Sequence, residues 1–577
     1  MSKAFKFHRH TNLASFLDFL SFIIYIVGMY IRTISRKNKD GSEVTYVQLA
    51  HNQWDAKKRH STAKVLYNFG RIEHLDIDQL KRLVKSISRF LPPDDALESQ
   101  ATIEHRGRRL TWKDSRSYGG IYVLSVLLQQ LNFKQILEKR MKNRQFSAPI
   151  IQAILAMITN RCLAPQSKLA ISQWVEQDVY IPDLPKVDVH IFYRAMDFLL
   201  EHQDILEQEI YWAVADLLNL EVDLLFFDTT STYFETEVES ELKQFGYSKD
   251  KRPDLPQVVI GLAVTRSGIP IKHWVFPGNT QDMTTIEQVK KDLGGWRLNR
   301  CIIVHDRGMS SEYNLQYLQR GGGHYIVGRK LKSGEAEVEQ ALSQKGRYTA
   351  VGENLWAKEV IVGNGEKRKR LVVVKNSSEQ QRDQKNRLQL INTLEEKINT
   401  LNHRKTKYHS KAVCQLKSHR IYGKYVKEQK DGKLKIDRTA LRIESRYDGK
   451  YLVETSDDTL CLSDIVLGYK QLHDIEHAFR TLKTDLDLQP NYHSKDQRIK
   501  CHIFLCFIAL VLVRIIENAT GKSWARVRRE LNRIHYGEFL VDSKKVCQLT
   551  ELNHEQRNIL KSLKIKEPNI FIDIQIS

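Results

Sequence analysis

Two short apolar runs, each ending in an aspartate, constrain this chain more than any other feature. Leu224-Leu225-Phe226-Phe227 leads into Asp228, with Thr229, Thr230 and Ser231 beside it, and Ile302-Ile303-Val304-His305 leads into Asp306. Such runs read as strands buried on both faces, which need helices for cover. Helix-like text surrounds them: TTIEQVKKDLGGW precedes the second run, SEYNLQYLQRGG follows it, and HYIVGRK is a further strand. QVVIGLAVTRSGIPIKHWVF reads as two strands around the turn Ser267-Gly268. Strands alternating with helices make an α/β core, in which functional groups gather beyond the carboxyl ends of strands. An acid there is held by a rigid strand and still reaches solvent. Taken singly, each aspartate reads more simply as a turn or helix cap; two in one α/β unit, one flanked by hydroxyls, favour a site.

A third acid comes from farther along. Ser463-Asp464 opens a long helix over 463–487, on which Tyr469, Glu476 and Lys483 are seven apart and share one face. Arg480 lies one turn beyond Glu476, and Leu472, Ile475, Phe479, Leu482 and Leu486 form the adjoining apolar stripe. Glu476 sits at the margin of that stripe, where a lone carboxylate is costly without a cation. Read from this helix alone, a surface Glu476–Arg480 pair of about 0.2–0.5 kcal/mol is the simpler account. Three carboxylates from two strands and a helix suit two Mg2+ ions, or Mn2+ in their place, which prefer oxygen ligands. Two such ions about 3.5–4 Å apart drive in-line phosphoryl displacement. Arg480 would then contact phosphate as a fork and Lys483 as a point charge. His305 is either a ligand or, by strand alternation, a residue of the opposite layer, the simpler reading.

Charge points the same way. Among 577 residues, 90 Lys and Arg oppose 69 Asp and Glu, a formal charge of +21. A polyanion relieves such self-repulsion, and nucleic acid is the usual one. Seven cysteines without a CxxC pair exclude a disulfide scaffold and a zinc ribbon, and fit a reducing compartment. The apolar run over 16–31 is shorter than the ~20 residues that span a bilayer. CHIFLCFIALVLVRIIENAT, at 501–520, reads as a buried core helix, so no membrane partner is expected.

The chain divides by texture. Residues 1–28 read as an upstream extension, with Met29 as the start of the functional protein. Residues 29–118 form a DNA-contacting module or, equally, a solvated hairpin: strands around the turn Lys39-Asp40-Gly41, the text YVQLAHNQWDAKKRHSTAKVLYNFGRI, a charged helix and the polar break PPDDALESQ. Residues 119–220 are helical by their three- and four-residue spacing of apolar side chains. The core begins over 221–330 and resumes over 456–522; the hydrophilic 331–455 between them holds strands, a charged helix at about 378–403 and basic loops. Residues 523–577 read as a helical tail.

Four long blocks, in order, carry a resemblance: FFDTTSTYFE; GYSKDKRPDLPQVVIGLAVTRSGIPIKHWVFPGNTQDMTT; VHDRGMSSEYNL with HYIVGRK; and YKQLHDIEHAFRTLKTDLDLQPNYHSKDQRIKCHIFLCFIAL. The chain resembles insertion-sequence transposases of the IS-four superfamily, and within it the subgroup named for insertion sequence sixteen-thirty-four. The resemblance implies an RNase H-like core with a DDE triad at Asp228, Asp306 and Glu476, interrupted by a β-rich insertion; the separation of 170 positions from Asp306 to Glu476 leaves room for it. It implies cleavage of element ends and their joining to target DNA, double-stranded DNA as partner, a homodimer that brings two ends together, and a bacterial cytoplasmic setting at the nucleoid. The family helix places Tyr, Arg, Glu and Lys at spacings of three, four and seven; Tyr469, Glu476 and Lys483 match, and Leu472 stands where the arginine belongs. Lys249, Lys251 and Arg252, in the basic turn-rich block YSKDKRPDLP, are candidate DNA contacts beside Tyr469, Arg480 and Lys483; the same block also reads as a plain surface loop. Two alternatives stay open: a nuclease on the same core that cuts without joining, and a DNA-binding derivative without catalysis.

Overall fold

The structure is a computed structural model that describes residues 29–37, 43–55, 60–88, 102–105, 108–142, 149–182, 184–220, 222–296, 298, 301–332, 334–364, 368–403, 409–541 and 544–574. The extension at 1–28, the turn Lys39-Asp40-Gly41 and the break PPDDALESQ lie outside the described residues, as does the middle of the basic loop after His403. The chain forms two units, residues 1–107 and 108–577.

The first unit holds an antiparallel sheet of β1 (Met29–Lys37), β2 (Glu43–Asp55) and β3 (His60–Arg71), then helix α1 (Ile77–Ser88) and the strand β4 (Thr102–His105). Strand β2 is central, pairing with β1 through Ile31↔Leu49 and with β3 through Leu49↔Tyr67. Among its described residues only Val47, Ala50 and His51 are buried.

The second unit opens with β5 (Arg108–Ser117) and six helices: α2 (Gly119–Gln130), α3 (Phe133–Met141), α4 (Ile150–Leu163), α5 (Lys168–Gln177), α6 (Val189–Glu201) and α7 (Gln203–Leu218). A nine-stranded sheet follows, built from β6 (Leu224–Tyr233), β7 (Gln257–Val264), β8 (Pro270–Pro277), β9 (Ile302–His305), β10 (His324–Arg329), β11 (Thr349–Gly352), β12 (Leu355–Val362), β13 (Lys369–Asn376) and, after a gap, Lys450–Thr455. The sheet order is β11-β12-β13-(Lys450–Thr455)-β10-β9-β6-β7-β8. Strands β6, β9 and β10 run parallel and the rest pair antiparallel, which makes the sheet mixed. Helices α8 (Ile286–Leu293) and α9 (Glu312–Gln319) cover one face.

The segment 331–455 does not stand apart from this sheet. Helix α10 (Ala336–Ser343) packs on β12 and β13, while α11 (Ser377–His403), α12 (His409–Ser418), β14 (Val426–Glu428), β15 (Leu434–Ile436) and α13 (Arg438–Ser445) make a satellite with its own apolar cluster. The chain then re-enters the main sheet as β16 (Lys450–Thr455). Leu371, Val372, Val373 and Val374 of β13 are all buried, as a strand covered on both faces must be.

The helix expected over 463–487 is two helices, α14 (Leu462–Lys470) and α15 (Leu472–Thr484). Gln471, at φ −68 and ψ −5, shares its N–H between the carbonyls of Leu467 and Gly468, which tightens the last turn and ends the ladder. Tyr469 and Glu476 therefore belong to different helices.

Helix α16 (Asp496–Thr520) is the apolar run read as a core helix: its mean hydropathy reaches 2.4 and 94% of that stretch is buried in the protein. Each large aliphatic or aromatic side chain buried there contributes about 1.5–3 kcal/mol. Its two internal charges are answered within the fold. Arg514 donates to Glu517 at 2.9 Å and to the carbonyls of Ser267 and Gly268, the turn between β7 and β8 where Gly268 takes φ +70.

The tail expected to be helical holds α17 (Trp524–Leu531) and α18 (His554–Ser562) but also β17 (His535–Val541), β18 (Lys544–Leu549) and β19 (Phe571–Ile574). KKVCQL buries alternate side chains, Cys547 and Leu549, which pack with Tyr536 of β17 on Tyr118, and β17 pairs with β5.

Candidate active site

The sheet register sets the first two acids. Parallel pairing of β6 with β9 matches Phe227 to His305, so the residues that follow, Asp228 and Asp306, leave corresponding positions of neighbouring strands. Phe226, Phe227, Val304 and His305 are fully buried beneath them, which makes the support rigid. His305 turns into the interior: burial lowers its imidazole to about 4, and Nδ1 faces the carbonyl of Asp306.

The third acid comes from α15. Its buried face, Ile475, Ala478, Phe479 and Leu482, packs against the sheet and α16, which leaves Glu476 at the rim. A cleft of about 350 Å3 is lined by Asp228, Asp306 and Glu476 together with Tyr469, Lys470, Leu472, His473, Ile475, Leu355, Asn376 and Tyr451. The candidates from distant parts of the chain thus meet in one open cleft.

Their environments differ. Burial pushes the Asp228 carboxyl up to about 6, against the nearby Lys249 ammonium and the Thr229 N–H; the charges of Asp282 and Asp306 push it further up. About a quarter of its side chain, 24%, stays open at the cleft. Asp306 is exposed and faces Tyr469, whose hydroxyl is raised to about 12 by burial first and then by the Asp306 carboxylate. Tyr469 packs so closely over β10 that a Cβ on Gly328 would meet its oxygen at 2.1 Å. Glu476 is two-thirds exposed and its neighbour is His473 at 3.3 Å, not Arg480.

The candidate DNA contacts fall into two sets. Lys249 is inside the site: its Nζ donates to the carbonyl and hydroxyl oxygens of Thr229 at 2.6 and 2.7 Å, lies 3.1 Å from Asp282 and 3.8 Å from Asp228. Lys483 pairs with Asp250 at 2.6 Å. Lys251 and Arg480 are exposed; Arg252 grips Asp254 and lies 5.0 Å above the Tyr233 ring. Leu472 is half-buried on the main core and gives the cleft an apolar patch in the place of a guanidinium.

Asp282 escaped the sequence reading. It lies in the block GNTQDMTT, on a short turn after β8, with no apolar run before it to mark it as a strand end. Lys470, Asn376, Leu355 and Tyr451 also line the cleft unannounced, the last three from the hydrophilic segment 331–455.

Among the described residues no three or more His, Cys, Asp or Glu side chains are gathered tightly enough to clasp a metal. The donor chemistry nevertheless suits a hard divalent cation: Asp228, Asp306 and Glu476 offer only carboxylate oxygens to the cleft, and Lys249 is the cation set against Asp228.

Residues 223–512 match the family described as Transposase DDE domain, half of the chain, and the chain belongs to the DDE transposases. Residues 31–98 match the IS1634 family transposase, N-terminal domain, which places the chain in the IS1634 family. No curated protein matches. A solved structure, the cryo-EM structure of a piggyBac transposase synaptic complex with hairpin DNA, is similar over 72% of this chain and 78% of that one, at 10% identity and a TM-score of 0.34, too loose a likeness to add to the assignment.

Proposed function

We propose that this transposase cleaves the ends of its insertion sequence and joins them to target DNA by phosphoryl transfer, with Asp228, Asp306 and Glu476 as its catalytic acids. The observation that carries the reading is the convergence of these acids, two from matched strand ends and one from a helix, on a single open cleft. The three would hold Mg2+, as two ions, or Mn2+. Bound there, such ions would supply Lewis-acid activation of a water or a 3′-hydroxyl and charge stabilisation at the leaving oxygen. The chain's own residues supply the rest. Buried strands fix Asp228 and Asp306, Tyr469 orients Asp306, and the basic surface draws DNA to the cleft. Tyr469, Arg480, Lys483, Lys249, Lys251 and Arg252 are the proposed DNA contacts. The fold of 221–330 and 456–522 is read as an RNase H-like core, with 331–455 inserted into it. The partners are the terminal inverted repeats and target DNA, engaged by a homodimer in the bacterial cytoplasm.

The test uses element-end DNA with Mg2+ and, separately, a pre-cut end carrying a free 3′-hydroxyl. Cutting and joining are both expected, and each of Asp228→Asn, Asp306→Asn and Glu476→Gln should lower them by about a thousandfold or more. Cutting without joining makes the protein a nuclease; variants that retain activity dismiss the proposed acids.

A further inference from the structure

Strand β6 presents Asp228 to the cleft, while its next residue, Thr229, meets the turn that carries Asp282. The Thr229 hydroxyl donates to Asp282 Oδ1 at 2.5 Å. Lys249 arrives from the loop between β6 and β7. An ammonium has three N–H donors. Here three oxygens lie close to it: the Thr229 carbonyl at 2.6 Å, the Thr229 hydroxyl at 2.7 Å and Asp282 Oδ2 at 3.1 Å. Asp228 Oδ1, at 3.8 Å, is within electrostatic reach but beyond a hydrogen bond, and accepts the Thr229 N–H at 2.7 Å instead.

We propose that Asp282 is a positioning residue of this site: it anchors Lys249 so that the ammonium balances the acids without closing on Asp228, whose oxygens stay open to a divalent cation. The inference rests on reading Asp228 as a metal-binding acid. With Asp282 neutral, Lys249 keeps Asp228 as its nearest acidic partner, and an ion pair there competes with the metal. Asp282→Asn keeps the shape and an acceptor for Thr229 and removes only the charge.

The experiment titrates the full chain with Mn2+ and reads the free ion by electron paramagnetic resonance, without DNA or turnover. Asp282→Asn should weaken Mn2+ binding about fivefold or more, as expected when one charge shifts at a partly exposed site. Lys249→Met alone should bind Mn2+ at least as tightly as the natural chain, and adding it to Asp282→Asn should restore the lost affinity. Unchanged binding in Asp282→Asn overturns the proposal. So does a double variant as weak as Asp282→Asn, which would make Asp282 a direct ligand. Weakened binding in Lys249→Met overturns it too, and that variant decides the matter even where Asp282→Asn fails to fold. Asp228→Asn is the separate control: if it binds Mn2+ like the natural chain, the reading of Asp228 fails, whatever Asp282 does.

Discussion

Lys483, on the helix that carries Glu476, holds Asp250 at 2.6 Å, and Asp250 directly follows Lys249, which reaches into the surroundings of Asp228. One loop therefore links the helix of Glu476 to the surroundings of Asp228. Each partner of the pair is only 16% exposed, so losing either leaves a largely buried charge unanswered. Asp250→Asn and Lys483→Met should each destabilise the protein by about 1–3 kcal/mol, and the double variant should lose clearly less than their sum. Denaturant unfolding of the four proteins measures the coupling; additive losses would mean that the loop and helix are not joined through this pair.

Asp228 gives the site a pH signature. Its carboxyl binds a proton more tightly in the folded chain, at about 6, than in the unfolded chain, at about 3.8. The folded state therefore has no penalty from this group below about pH 3.8 and acquires one as pH rises through 6. Asp228→Asn should stabilise the metal-free protein by about 1–3 kcal/mol at pH 7 and by nothing measurable near pH 3.5. Unfolding free energies at the two pH values test this. On the proposed reading, the metal concentration needed for cutting should rise as pH falls below about 6, because protons then compete with the cation for the Asp228 oxygens.

Leu472 invites a gain-of-contact test. Arginine there can lay its stem along the apolar patch and extend its guanidinium into the cleft. Leu472→Arg should leave the fold within about 1.5 kcal/mol of the natural chain and steepen the salt dependence of DNA binding by about one ion. Binding isotherms at several salt concentrations give the slope; an unchanged slope would place residue 472 away from phosphate.

Gly328 sets the position of Tyr469. A methyl group there would overlap the tyrosine oxygen at 2.1 Å and its ring at 2.7 Å. Gly328→Ala should displace Tyr469 from Asp306, destabilise the chain by about 1–3 kcal/mol and lower cutting more than binding. Activity and DNA affinity measured side by side distinguish this from a general loss of fold.

The parts of the site legible in sequence are those where local text and tertiary role coincide. Asp228 and Asp306 follow apolar runs because buried strands support them, and the run is itself the signal. Glu476 needed the family motif: it is exposed, its neighbour is a histidine one turn away, and nothing local separates it from a surface acid. Asp282 and Asp250 are set by contacts to Thr229, 53 residues away, and to Lys483, 233 residues away, which periodicity does not carry. The strands at 355–362 and 369–376 show as short apolar, β-branched runs, but their place in the sheet beside 450–455 depends on pairing that no single segment encodes. The break at Gln471 hid within an uninterrupted helical pattern, since the residue is an ordinary helix former.

The pairing of β16 with β10 bears on how such a gene can be trimmed or exchanged. Residues 331–455 invite treatment as a removable cassette, yet the last six of them shield one side of the strand next to Asp306's own. Excision would bare the backbone donors and acceptors of β10, a template to which another chain can add. A shortened transposase of this kind would meet its first obstacle in self-association, before any question of chemistry, unless those six residues were left in place.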